Sequence, residues 1–229
     1  MSSVEPGPGA GAEVRVECPR CPAPVAEVGD GTWSCPEHGV IEPLWRPLTP
    51  SYESFAGHLR RVGAFPTYLP WPLGPGWTVS DFAAVGPTDG PASATLTCVS
   101  GASQLDGPVD VMVISEEPGT GFGARVAGLT GNGEAERLDP GLEIGDGPPP
   151  VRVRVDQHPV GLWSVSISSS PGDWDRSVVA GEAGGRWLWL VLRPASAILL
   201  LRDDWILRDV SATGPQLVAL PFGGAPPAW

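Results

Sequence analysis

Lysine is absent from the 229 residues, and all 14 basic side chains are arginine. Against them stand 26 acidic side chains, for a formal net charge of −12. A chain with that balance lacks the broad basic surface that displaces counterions from a nucleic acid. Long apolar runs are missing too. The most apolar stretch, Trp187 to Leu201, is broken by Arg193 and Pro194 and is too short to cross about 30 Å of hydrocarbon. Met1 to Glu13 has neither a basic start nor an apolar block, so it does not read as a signal peptide. Cysteine is scarce, at 4. These absences lead to the expectation of a soluble, cytoplasmic protein with no membrane contact. In a reducing compartment, cysteines hold metal more readily than they form disulfides.

Glycine and proline are abundant, at 31 and 28 residues, a level that can signal disorder. Ten tryptophans, 41% hydrophobic residues and only 17% charged residues argue instead for a real core over most of the length. A chain of this mass buries roughly 70% of its unfolded surface when it folds as one body.

The organisation reads as four parts. Residues 1–13 form a disordered tail, 14–47 a zinc ribbon, 48–77 a proline-rich connector with a short helix, and 78–229 a β-rich domain. The expected fold class is therefore mainly β, α+β at most: a small zinc ribbon followed by a predominantly antiparallel β domain. The connector helix runs from Ser51 to Val62, with Tyr52, Phe55, Leu59 and Val62 at helical intervals, Ser51 as N-cap and Gly63 as stop. Its own propensity would not hold it, so the stripe must dock. Pro66 to Trp77 should be extended and irregular. Strands are expected at Ala94–Ser100, Val109–Ser115, Val151–Asp156, Leu162–Ser168, Val178–Gly181, Trp187–Leu192, Ala197–Arg202 and Trp205–Val210. Val151-Arg-Val-Arg-Val alternates strictly, so one face is wet. Trp187-Leu-Trp-Leu-Val-Leu is apolar on both faces, as a central strand covered on both sides would be. Gly184-Gly185 suits a tight hairpin and Asp203-Asp204 another turn. Thr130–Pro150 reads as a long loop.

The strongest chemical signal is Cys18-Pro-Arg-Cys21 followed by Cys35-Pro-Glu-His38-Gly39. Two ligands separated by two residues reach one ion from a single tight turn, and two such turns close a tetrahedron. With Cys18, Cys21, Cys35 and His38 all ligating, no corner stays open for water, so the expected ion is a structural Zn2+ rather than a catalytic one. Trp33 and Val16 are placed to cover it. A redox Cys-x2-Cys needs a helix after it, which Pro22 and Pro24 oppose. Zinc ribbons often touch nucleic acid, but here Arg15, Arg20 and Arg46 are outnumbered by Glu17, Glu27, Asp30, Glu37 and Glu42. The expected contact is with a protein, or with the chain's own β domain.

The order of these features resembles a family. The Cys-Pro-Arg-Cys … Trp-Ser-Cys-Pro-Glu-His-Gly-Val head, Pro70-Trp-Pro-Leu-Gly-Pro-Gly-Trp77, Glu116-Glu-Pro-Gly-Thr-Gly-Phe-Gly-Ala-Arg125 and Gly181-Glu-Ala-Gly-Gly-Arg-Trp-Leu-Trp189 together look like an uncharacterised actinobacterial domain-of-unknown-function family with a zinc-ribbon-like head. The resemblance covers most of the chain from Val16 onward. It implies a zinc-binding head and little more, since the family has no established activity. The all-arginine basic set suits a GC-rich genome.

Other constellations are weaker. Gly119-Thr-Gly-Phe-Gly-Ala124 fits G-x-G-x-x-A, but Glu116, Glu117 and Pro118 separate it from the preceding strand, so it reads as a glycine-rich loop rather than a phosphate site. Glu116 and Glu117 point to opposite faces of a strand and cannot flank one bond. Cys98 reads as a small core residue, His58 as surface or interface, and His158 as a turn residue. Trp187 and Trp189, with Trp163 and Trp205, read as core before they read as a ligand platform. Three function classes remain. The first is a non-catalytic interaction or regulatory protein, with no catalytic or cofactor-binding residues beyond the metal ligands. The second is an enzyme with a site built from Glu117, Arg125, Glu182 and Arg186. The third is a nucleic-acid-binding ribbon that gathers Arg15, Arg20 and Arg46 on one face.

Overall fold

A computed structural model describes residues 13–129, 147–168, 175–201, 205–213, 217 and 219–229. The apolar alternation becomes strands along most of this length. In chain order the elements are β1 (Val14–Glu17), β2 (Ala26–Gly29), β3 (Thr32–Cys35), β4 (Gly39–Ile41), β5 (Leu44–Pro47), α1 (Tyr52–Val62), β6 (Tyr68–Pro70), β7 (Thr78–Val85), β8 (Ala94–Ser103), β9 (Gly107–Glu116), α2 (Phe122–Val126), β10 (Val151–Val155), β11 (His158–Ser168), β12 (Arg176–Ala183), β13 (Arg186–Arg193), a 3-10 turn (Ala195–Leu200) and β14 (Ile206–Asp209). The protein is mainly β. Among the described residues no helix is long and apolar enough to cross a membrane.

Eleven of these strands run β1-β5-β7-β8-β9-β13-β12-β11-β10-β14-β6, and β2-β3-β4 form a separate small sheet. The strand pairings are antiparallel except β10 with β14, which is parallel. β11 is the joint of the large sheet. Its first half pairs with β10 and its second half with β12, and the register slips between Ser164 and Ser166. A bulge of this kind bends a strand and increases its twist. The sheet folds back far enough for Thr97 of β8 to donate to the Tyr68 carbonyl of β6 at 2.5 Å, and for Thr95 to donate to the Pro66 carbonyl at 2.6 Å.

β13 is central, between β9 and β12, and its two apolar faces serve two cores. Leu188, Leu190 and Leu192 pack with Val79, Val99, Val111 and Val113, a cluster closed by Phe55 of α1 and by Leu69, Val153, Val155 and Leu207 of the folded-back strands. Trp189 and Val191 pack on the other side with Leu96, Cys98, Met112 and Ile114, under Phe122 and Val126 of α2. The β12–β13 hairpin closes on Gly184 and Gly185, both at positive φ (62° and 81°), the geometry two-residue hairpins favour.

α1 forms as its sequence predicts. The Ser54 N–H donates to Ser51 Oγ at 3.1 Å, the Ser51 N–H donates to Ser54 Oγ at 2.9 Å, and Gly63 at φ 59° ends the helix. His58 departs from expectation, being buried rather than on the surface. It lies one turn after Phe55 on the docked stripe, stacks on that ring at 5.6 Å, and shares a 3.3 Å hydrogen bond with Thr67 Oγ1. Burial, with Arg61 nearby, holds its imidazole down at about 3, so the ring is neutral.

Other differences have local causes. Ala197–Arg202 was expected as a strand, but residues 195–200 form a 3-10 turn. Pro194 has no N–H for a ladder, and its carbonyl accepts from the Ala197 N–H at 2.9 Å instead. β7 lay outside the expected strands because Asp81 interrupts its apolar run. β6 falls within the stretch expected to be irregular. β1 and β5 flank the cysteine motif yet lie in the large sheet, since Leu44 is fully buried against the second core and β5 pairs with β7. A change of sheet therefore does not coincide with residue 47. Residues 1–12 of the expected tail, Asp203-Asp204 and most of the Thr130–Pro150 loop lie outside the described residues.

Candidate metal centre

The two ligand pairs sit in turns. Cys18 and Cys21 occupy the knuckle after β1, Cys35 ends β3, and His38 lies in the turn into β4, where Gly39 takes φ 66°. Cys18 and Cys35 are buried, and Cys21 and His38 are half-buried. His38 Nδ1 lies 3.6 Å from Cys18 Sγ, 3.4 Å from Cys21 Sγ and 3.6 Å from Cys35 Sγ, and Cys21 Sγ lies 3.6 Å from Cys35 Sγ. All four ligand atoms fall within 4.8 Å of one another. A tetrahedron with metal–sulfur bonds of about 2.3 Å and a metal–nitrogen bond of about 2.0 Å has edges of roughly 3.5–3.8 Å. The four side chains fit such a shell, and together they can hold a metal ion.

Two of the cysteine thiols differ in how readily they ionise. Burial, reinforced by the neighbouring Cys35 and Cys18 sulfurs, pushes the Cys21 thiol up to about 12. Burial also opposes ionisation of Cys35, but hydrogen bonds from His38 and from the Glu37 backbone outweigh it and bring that thiol down to about 7.

Two arginines fasten this knuckle to the β body. Arg20, inside the Cys-x2-Cys loop, donates from Nε to the Thr120 carbonyl at 3.2 Å and from its guanidinium to the Gly119 carbonyl at 2.8 Å. Arg125 reaches back from α2 to the Cys18 carbonyl and to the Glu17 carboxylate. The glycine-rich stretch expected as a loop is therefore a turn and a short helix that form the counter-surface of the metal knuckle. Its glycine at 123 lies under the Trp189 indole, where a Cβ would come within 2.4 Å of Nε1.

Glu116 anchors that helix, accepting the Phe122 N–H at 2.8 Å and the Gly123 N–H at 3.1 Å through one carboxylate oxygen. Burial pushes its carboxyl up to about 7, although those two N–H groups favour the charged form. In the unfolded chain a glutamate titrates near pH 4.3. Between about 4.3 and 7 the folded state binds the extra proton, so this group's contribution to stability falls as pH rises through that window, by roughly 4 kcal/mol. Glu116→Gln is expected to gain stability over the wild type as pH rises from about 5 to about 8 with zinc in excess. Thermal melts at matched pH check this, and a difference that stays flat with pH would contradict it.

The remaining candidates do not assemble. Glu117 pairs with Arg186 at 2.8 Å, but Arg125 goes to the knuckle and Glu182 accepts the Gly185 N–H at 2.6 Å. Of the three head arginines, Arg20 is committed to Gly119 and Thr120, Arg46 is buried against Asp81, and Arg15 stays exposed beside Glu17 at 3.5 Å. Cys98 is fully buried, and burial pushes its thiol up. His158 is exposed and opens β11. Trp187 and Trp189 serve the second core and Trp205 the first, while Trp163 donates to the Gly147 carbonyl at 3.2 Å. Trp33 meets Trp45 edge to face at 5.9 Å.

Sequence reasoning missed a cluster beside the head. Arg46 of β5 and Asp81 of β7 form a buried ion pair at 2.6 Å, the Trp229 indole donates to Asp81 at 2.9 Å, and the Arg46 guanidinium lies 4.1 Å from that ring. The one available signal was a lone acid in the apolar run Phe82-Ala-Ala-Val85 that follows it.

Fold and site together define a mainly β protein with a Cys3His group able to hold a metal. The chain belongs to a family of unknown function, DUF6758, whose model matches residues 13–229. No curated protein and no solved structure matches it.

Proposed function

We propose that this chain is a non-catalytic, cytoplasmic zinc protein that works by binding another protein, with residues 14–47 as a zinc ribbon and the ion structural. The observation that carries this reading is the four-sided Cys3His shell. Sulfur and imidazole donors at these edge lengths suit Zn2+, and four protein ligands leave no place for a reacting water. The scattering of Glu117, Arg125, Glu182 and Arg186 among separate contacts also supports a binding role over an enzymatic one. Arg20 and Arg125 give the ribbon a fixed seat, and its outer strands present Val28 and Val40 to solvent at 61% and 74% exposure. The all-arginine basic set and the motif order support an actinobacterial source.

The test is crosslinking and co-purification of the zinc-loaded chain against a Val28→Asp, Val40→Asp variant. The wild type is expected to capture a protein in fixed proportion, and the variant to lose it while retaining zinc. Equal capture by both would remove the ribbon face as the binding surface, and elution of the wild type alone would remove the interaction reading.

A further inference from the structure

A groove of about 310 Å³ opens beside the first core, where β6 and β14 pair and pass over β8. Trp71, Trp77 and Trp205 line it, with Pro70, Pro72 and Ile206. Two of the indoles have close neighbours. The Trp77 ring lies so close to Gly101 that a Cβ there would come within 2.4 Å of it, and the Arg208 guanidinium sits 5.0 Å from the Trp71 ring. Among the described residues, none of the three indole N–H groups has an acceptor.

Beside the groove stand exposed arginines, in a chain whose net charge is −12. Val153 and Val155 face the core, so Arg152 and Arg154 stand on the outer face of β10, and Arg154 lies in register with Ile206 of the groove wall. Neither arginine has a carboxylate partner among the described residues. Among the described residues, the acids on this edge, Asp156 and Asp209, accept backbone N–H groups from Asp209, Thr67 and Ser211.

We propose that this groove binds an extended, proline-containing segment of another protein that carries acidic residues among its prolines. An extended proline helix has no internal hydrogen bonds, so its carbonyls are free to accept from indole donors while its rings lie on the tryptophan faces. The arginine rim selects the acidic residues by charge complementarity. A polysaccharide would find few polar side chains in this wall for its hydroxyls. A nucleic acid would meet the same arginines but would be repelled as a polyanion by the rest of the chain. This surface lies apart from the ribbon face of the proposed function and goes beyond that reading.

The experiment measures anisotropy of a labelled peptide, four Pro-Pro-Glu repeats, titrated with the full zinc-loaded chain. Four Pro-Pro-Lys repeats and a labelled oligothymidine run in parallel. Saturable binding of the glutamate peptide is expected, at least tenfold weaker in Trp205→Ala and about tenfold weaker for the lysine peptide. Arg152→Glu with Arg154→Glu, both exposed on β10 and outside the cores, is expected to invert the preference between the two peptides even if the tryptophan variant proves unstable. No saturable binding, equal binding of the two peptides, or tighter binding of oligothymidine would each overturn the proposal. Val28→Asp with Val40→Asp is expected to leave peptide affinity unchanged. A wild type that captures no protein but binds the glutamate peptide therefore strikes the ribbon reading alone, and one that captures a protein through the ribbon face but does not bind the peptide strikes the groove alone.

Discussion

Cys35→Ser is expected to strip the chain of tightly held metal. The Cys35 sulfur is almost wholly buried and stands 3.6 Å from both Cys21 Sγ and His38 Nδ1, so it is a corner that no other side chain replaces. Serine supplies a hard hydroxyl that stays protonated at neutral pH, where zinc calls for a thiolate. The expected consequence for the fold is local and large. β2 is exposed along its whole length, and among the described residues the small sheet contributes to no buried apolar cluster, so a bound ion would be what closes β2-β3-β4 into a unit. Structural zinc contributes on the order of 10 kcal/mol to modules of this kind. Elemental analysis should therefore show loss of zinc, and hydrogen exchange should quicken across residues 18–41 while β8, β9 and β13 keep their protection. Zinc retained at wild-type affinity would refute the assignment. Chelation of the wild type should reproduce the same exchange pattern.

Asp81→Ala is expected to destabilise the fold by about 3–5 kcal/mol, because it leaves the Arg46 guanidinium buried without its counter-charge. The aspartate also accepts the Trp229 indole N–H and the Phe82 backbone N–H, so the substitution orphans further donors. Burial pushes the Asp81 carboxyl above its ordinary range in spite of Arg46. Dehydration thus consumes much of what the ion pair supplies. The pair is costly to break and far less costly to replace whole. Arg46→Met with Asp81→Leu is accordingly expected to recover most of the loss, which urea melts of the two singles and the double would measure as a coupling energy. Additive losses would mean that the two charges do not depend on each other.

Both effects arise where the sequence was readable in part. The Cys3His group was legible because chelation imposes a local spacing, and Cys18, Cys21, Cys35 and His38 carry it within a short span. α1 was legible through its caps and β13 through its two apolar faces, since each signal lies inside the element it defines. What could not be read depends on distant partners. Nothing near Asp81 announces Arg46 or Trp229, and nothing near Arg20 announces Gly119. His58 was misplaced because a polar residue on an apolar stripe looks the same whether it faces water or waits for Thr67. Ala197–Arg202 has the composition of a strand, but the carbonyl of the preceding proline captures its first turn.

The grip of Arg125 on the Cys18 carbonyl also bears on how this head can be handled. The same guanidinium lies 5.1 Å from the Trp229 ring, so a ligand-bearing turn, a short helix and the final side chain of the sequence converge on one cation. Residues 14–47 transplanted onto another scaffold would carry their four ligands but leave behind the surface against which the first pair is braced. Such a graft should take up zinc more weakly than the parent chain and exchange it faster.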